Sequence, residues 1–191
     1  MRNLPTRLLL TCAAIGVAAG IVLLPVFGFF SAAAIAVMPL GYAALLGAWF
    51  FAGVLIQSLT HRAGTALVAS LVAGLVAAPF TPYGFTTVAS TATVGLMQEL
   101  PFLATLYRRW PAWLFYTANT LIGVLYAFPA QRLLAVDAAD WVRAAMYPVA
   151  GLSALAFTCV ARVIARRLER TGVTQGLRPG GRPGAVRSVG D

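Results

Sequence analysis

Six long stretches of this chain are almost free of charged residues, and that pattern limits what the chain can fold into. Only 10% of the residues are charged and 60% are hydrophobic, whereas a soluble domain carries about 25% charge. A helix needs about 20 mostly apolar residues to cross a hydrocarbon core of roughly 30 Å. The candidate spans are 8–27, 38–59, 64–79, 85–106, 112–128 and 142–165. Polar or helix-breaking punctuation separates them: His61-Arg62, Pro79-Phe80-Thr81-Pro82-Tyr83-Gly84, Tyr107-Arg108-Arg109-Trp110-Pro111, and a polar loop from Gln131 to Asp140. Pro-Gly clusters turn the chain, and Pro111 suits the first turn of a following helix. The boundary at 28–37 is open: a loop, a re-entrant stretch and a longer first helix all fit, and a lid is one role for it. Barrel strands would alternate apolar and polar residues, and these segments do not. The expected fold is therefore an all-α integral membrane bundle of six transmembrane helices.

The net charge is +9, and all of the basic residues are arginine. Arg2, Arg7, Arg62, Arg108, Arg109, Arg162, Arg166, Arg167, Arg170, Arg178, Arg182 and Arg187 fall on one side of a six-span topology. Arg132 and Arg143 fall on the other, beside Asp137 and Asp140. By the positive-inside rule both the N- and C-termini are cytoplasmic. The arginines then face anionic headgroups, and nucleic-acid binding is excluded for want of a basic face with stacking groups. Arg2 and Arg7 ahead of an apolar run, with Ala34-Ile35-Ala36 further on, imitate a signal peptide; the reading here is an uncleaved first span. The membrane domain covers 1–170. Residues 171–191, rich in Gly, Pro and Arg, read as a disordered basic cytoplasmic tail.

Polar groups inside the spans carry the functional signal, because an intramembrane ionisable side chain is costly and usually marks a site. Glu99 is the one carboxylate well inside a span, and Gln98 precedes it. Thr87, Thr91 and Gln98 share a face of the fourth helix. Tyr116, Asn119 and Tyr126 follow one stripe of the fifth with Gly123. Tyr83 and Tyr147, at the outer ends, fit either an interfacial belt or a lid. A buried anion, an amide and aromatic rings suit a flat, amine-bearing or cationic small molecule, since rings attract cations and carboxylates accept from amines. In the first helix, Ala14-x-x-x-Ala18 and Gly16-x-x-x-Gly20 are small-residue spacings that let another helix approach closely. Interspan bonding alone would also explain the hydroxyls and Glu99.

Other chemistry is poorly served. Without lysine there is no Walker motif. His61 stands alone, so no metal centre is expected, nor any cofactor. Cys12 and Cys159 lie in apolar runs and form no disulfide framework. No catalytic constellation appears, so the chain is not expected to be an enzyme. A stand-alone transporter or channel would ordinarily show an internal repeat, which is not evident. A non-transporting scaffold subunit is a further alternative.

The stretch Arg62-x-Gly64-x-Ala66-Leu67-x-Ala69-x-Leu71-Val72-Ala73, followed by Gly84, Thr87, Ser90, Gly95-Leu96-x-x-Glu99-Leu100 and Tyr107-Arg108-Arg109-Trp110, resembles the S components of energy-coupling factor (ECF) vitamin transporters. The branch it resembles is the one assigned to thiamine and its hydroxymethylpyrimidine precursor. The resemblance implies a substrate-capture subunit in the bacterial plasma membrane. It would work with a transmembrane coupling subunit and two cytoplasmic ATPase subunits, and deliver a vitamin by toppling in the membrane. It also implies that Glu99 is the ligand carboxylate and that Ala14, Ala18 and Gly16 meet the coupling subunit. Ser70 and Ala77 stand where the branch often has acidic residues, and Tyr83 stands where it usually has Trp.

Overall fold

A computed structural model of the protein describes residues 6–31, 39–81, 84–108, 110–134 and 139–171. These form six helical spans. α1 is Thr6–Ser31. α2 covers Pro39–Thr60 in three pieces: α-helical Pro39–Leu45, a 3-10 stretch Leu46–Phe50, and α-helical Phe51–Thr60. α3 is Thr65–Ala77, closed by a 3-10 turn at Ala78–Phe80. α4 is Thr86–Ala104, α5 is Ala112–Leu134 and α6 is Asp140–Arg170. Among the described residues there is no strand.

One boundary differs from the sequence expectation. α5 continues through Gln131 and Arg132 to Leu134, past Pro129, so the start of the expected 131–140 loop is helical. Pro129 lacks the N–H that would bond the preceding turn, which a helix can absorb as a bend, and the Gln131 side chain is held by the Tyr147 hydroxyl at 2.9 Å. At the open boundary the first helix runs on to Ser31; residues 32–38, the tail from 172, and Tyr83 lie outside the described residues.

The links between spans are tight because single residues take left-handed conformations. His61 (φ 47°) ends α2, its N–H bonding back to Gln57 O. Gly64 (φ 80°) then starts α3. After α4, Leu106 and Tyr107 are also left-handed (φ 51° and 55°), a conformation costing non-glycine residues roughly 1–2 kcal/mol. Bonds from Leu106 N to Leu103 O and from Tyr107 N to Phe102 O hold this turn.

α3 packs in depth against α1 and α4, α6 packs against α2 and α5, and α2 joins the two sets by lying on α3. α4 and α5 are consecutive, yet they meet only along a thin seam. Small residues set the close approaches. A Cβ on Gly16 would meet Ala69 O at 2.8 Å and Val72 Cβ at 2.9 Å, and one on Gly123 would meet Ala154 Cβ at 2.7 Å. Phe50, Leu46, Val54, Phe102, Phe115 and Met146 fill the centre. The exterior is apolar: Leu10, Val22, Leu75, Leu96, Leu121, Leu125 and Leu152 are all exposed, a surface that calls for a partner or lipid. α2 and α6 are each long and apolar enough to cross a membrane.

Candidate functional site

The ends of the bundle differ in charge. One, the arginine end, gathers His61, Arg62, Tyr107, Arg108, Trp110 and the last turns of α6. The other carries Thr81, Gly84, Gln131, Arg132 and Asp140 paired with Arg143. The sequence-predicted site residues divide between these ends and do not converge on one centre.

Near the arginine end, the α4–α5 seam is sealed. Gln98 Nε2 donates to Asn119 Oδ1 (2.9 Å) and to Phe50 O (3.0 Å), where the 3-10 stretch of α2 returns to α-helix. Gln57 Nε2 donates to the backbone oxygen of Gln98 at 3.4 Å, and Asn119 Nδ2 to Phe115 O at 2.8 Å. Gln57, Gln98 and Asn119 are all fully buried. Beneath them Phe102 stacks on Trp110 (4.5 Å, 20°) and tilts against Phe115 (4.7 Å). The network is not saturated. Gln98 Oε1, Gln57 Oε1 and Ser70 Oγ are buried with no hydrogen-bond partner, and such groups typically call for a water or ligand. Gln98 Oε1 occupies the space where Gly53 lacks a side chain, with Ser70 Oγ alongside.

Glu99 makes a bond to a neighbouring helix, one of the two roles open to it in the sequence. Its Oε1 accepts from Ala66 N at 2.9 Å. Gly64 at the start of α3 has no side chain with which to cap the helix, so the carboxylate of α4 takes that place and meets the positive end of the helix dipole. Glu99 Oε1 is thus turned to the start of α3, where free N–H groups attract an acid, and Oε2 is left buried. The Tyr107 hydroxyl approaches the same carboxylate. Burial, then the Glu99 charge and hydrogen bond, push that hydroxyl up to about 12, so it stays a neutral donor.

Tyr116 is likewise committed elsewhere. The Arg162 guanidinium lies 5.1 Å from its ring and 4.8 Å from that of Phe115, so Tyr116 faces α6. Thr87 and Thr91 turn toward α3: Thr91 Oγ1 donates to Thr87 O (3.1 Å) and fills the space beside Gly74, while Thr87 Oγ1 pairs with Thr81 Oγ1 at 2.7 Å. Gly16 is packed against α3 and cannot meet another subunit. Ala14 and Ala18, by contrast, are exposed on α1.

In the other half of the seam only light polar contacts cross. Tyr126 of α5 lies beside Ser90 of α4, and at the same end Tyr147 of α6 donates to Gln131 of α5 across the neighbouring α5–α6 contact. The break in α2 lies alongside: Ser153 Oγ accepts from Gly47 N at 2.9 Å and donates to Ala44 O, supplying groups that the interrupted helix leaves over. The candidate site is this half of the seam, with Gln98 and Asn119 as its floor and Ser90, Tyr126 and Tyr147 as its polar walls. Sequence reasoning missed Gln57 and Ser153. Gln57 was visible as an amide within a span, and Ser153 carried no signal before the α2 break was seen.

A protein-family model described as "ABC-type cobalt transport system, permease component" matches residues 8–125. A crystal structure described as an S-component of an ECF transporter aligns with a TM-score of 0.79 over 91% of this chain and 90% of that one, at 21% identity. No curated protein sequence matches.

Proposed function

This chain belongs to the family of ABC-type cobalt transport system permease components, and we propose that it is the substrate-capture subunit of an ECF-type importer. It has the S-component fold. In this reading the six spans sit in the bacterial plasma membrane with both termini cytoplasmic. A transmembrane coupling subunit meets the exposed Ala14–Ala18 face of α1, and two ATPase subunits supply the energy. The chain itself catalyses nothing, and the substrate crosses as the bundle topples.

One observation carries the substrate assignment. The polar cluster around Gln98 holds buried acceptors without donors, Gln98 Oε1 and Gln57 Oε1. That chemistry fits a flat organic molecule bearing ring amines, with thiamine or its pyrimidine moiety as the favoured case. The family description names cobalt, but Co²⁺ wants imidazole, thiolate or carboxylate ligands. Among the described residues no three such side chains come together. The test is copurification of the tagged chain from cells expressing the whole operon, followed by calorimetry with thiamine, hydroxymethylpyrimidine and Co²⁺. Recovery of an ATPase-bearing module and saturable binding of a pyrimidine support the proposal. Recovery of the chain alone, or binding of Co²⁺ only, overturns it.

A further inference from the structure

We propose that a second, separate site lies at the arginine end, in a cleft that takes a single phosphate group. The cleft encloses about 90 Å³ between Ser58 and His61 at the close of α2, Phe115 of α5, and Arg162, Arg166 and Glu169 of α6. That volume holds several waters and falls well short of the roughly 300–1,000 Å³ of a small-molecule pocket, so the occupant is a small group and not a vitamin. None of Gln98, Asn119, Tyr126 or Tyr147 lines it, and it is independent of the importer reading.

The cationic side of the cleft is built before any ligand arrives. Arg162 Nη1 donates to Ala112 O at 2.8 Å, and its guanidinium is held over the Phe115 and Tyr116 rings. A planar fork fixed in this way loses little freedom on meeting an oxyanion, which it can bond in bidentate fashion. Arg166 is one helical turn further on and lines the same cleft. Like charges at that spacing repel, and an anion between them removes the repulsion. Ser58 adds a hydroxyl that can donate. Glu169 carries the one negative charge in the lining, acts on the Arg162 guanidinium, and offsets only one of the two arginines. The cleft opens where apolar side chains such as Trp113 and Val163, both exposed, give way to arginine. A phosphodiester at the headgroup level of an anionic lipid meets this geometry, and so does free phosphate.

The test uses the full chain in detergent, titrated with phosphatidylglycerol, with a phosphate-free galactolipid, and with inorganic phosphate, and read by native mass spectrometry. The expected result is one phosphatidylglycerol retained at least about tenfold more tightly than the galactolipid, with Arg166→Gln removing most of that preference. Arg166 is exposed, so its replacement leaves the bundle intact; Arg162→Lys, which keeps charge and loses the fork, is the second variant. Displacement of the lipid by millimolar inorganic phosphate, or capture of phosphate alone, assigns the site to the free anion. Retention against phosphate assigns it to the lipid. Equal retention of both lipids with no phosphate binding overturns the proposal, as does an unchanged preference in both variants. None of these outcomes bears on vitamin binding.

Discussion

The two halves of the α4–α5 seam are made of the same two helices and behave as different materials. Toward the arginine end, α4 and α5 are joined by a side-chain amide pair, tied to α2 through Phe50 O, and floored by a cluster of three aromatic rings. Toward the other end no amide pair joins them: Tyr126 lies beside Ser90, and the Tyr147 hydroxyl bonds Gln131 between α5 and α6 instead. Lipid offers no hydrophobic drive to bring helices together, so packing and polar bonds decide which part of a bundle is closed. The difference teaches that polar residues conspicuous in the sequence, Gln98 and Asn119 among them, fasten helices together in one half and leave the other lightly bonded.

The comparison can be broken or sharpened by substitution. The largest effect is expected at the α2 break. A Cβ on Gly47 would overlap the Ser153 backbone, so Gly47→Ala should cost about 3 kcal/mol, read as a lowered unfolding midpoint in detergent. Next is the sealed half. Gln98→Leu abandons Phe50 O and the Asn119 amide, an expected loss of about 2 kcal/mol; a variant as stable as wild type would show that the seam is not fastened there. Glu99→Gln keeps an oxygen for the Ala66 N–H and loses the charge–dipole attraction, and should cost no more than about 1 kcal/mol, with substrate affinity unchanged. The smallest stability effects belong to the open half. Tyr126→Phe and Tyr147→Phe should shift stability by about 0.5 kcal/mol or less, yet weaken substrate binding several-fold in calorimetry. If their effects were on stability alone, the two halves would be alike. On α1, Ala14→Leu should leave stability unchanged and abolish copurification of the coupling subunit, because Ala14 is exposed, while Gly16→Ala, whose Cβ would press on Ala69 O and Val72, should cost about 2 kcal/mol.

The six spans were legible because the apolar period of a membrane helix is long and strong, and charge and proline mark its ends. The 3-10 interruption in α2 was not, since Leu46–Phe50 has no proline or polar signal; it is imposed by Ser153 more than a hundred residues away. Asn119 stood out as a costly amide and Gln98 as a polar side chain on the face of Thr87 and Thr91, but only the fold shows that they bond each other. Glu99 was conspicuous for the right reason, the cost of a charge among apolar residues. Its partner is a backbone N–H, which no side-chain pattern reveals. Helical spacing also could not say which stripe of α5 meets α4 and which meets α6, and so Tyr116 and Tyr126 were grouped although α5 turns them to different neighbours.

Cysteine protection tests the central claim most directly. In a Cys12→Ala, Cys159→Ala background, single cysteines at Ser90 and Met97 place one thiol in each half of the seam, and a membrane-impermeant maleimide is applied to intact cells. The account predicts that the cysteine at 90 is labelled and is protected by thiamine or hydroxymethylpyrimidine, while the cysteine at 97 stays unlabelled with or without them. Labelling at 97 that the same compounds suppress, with none at 90, would contradict it.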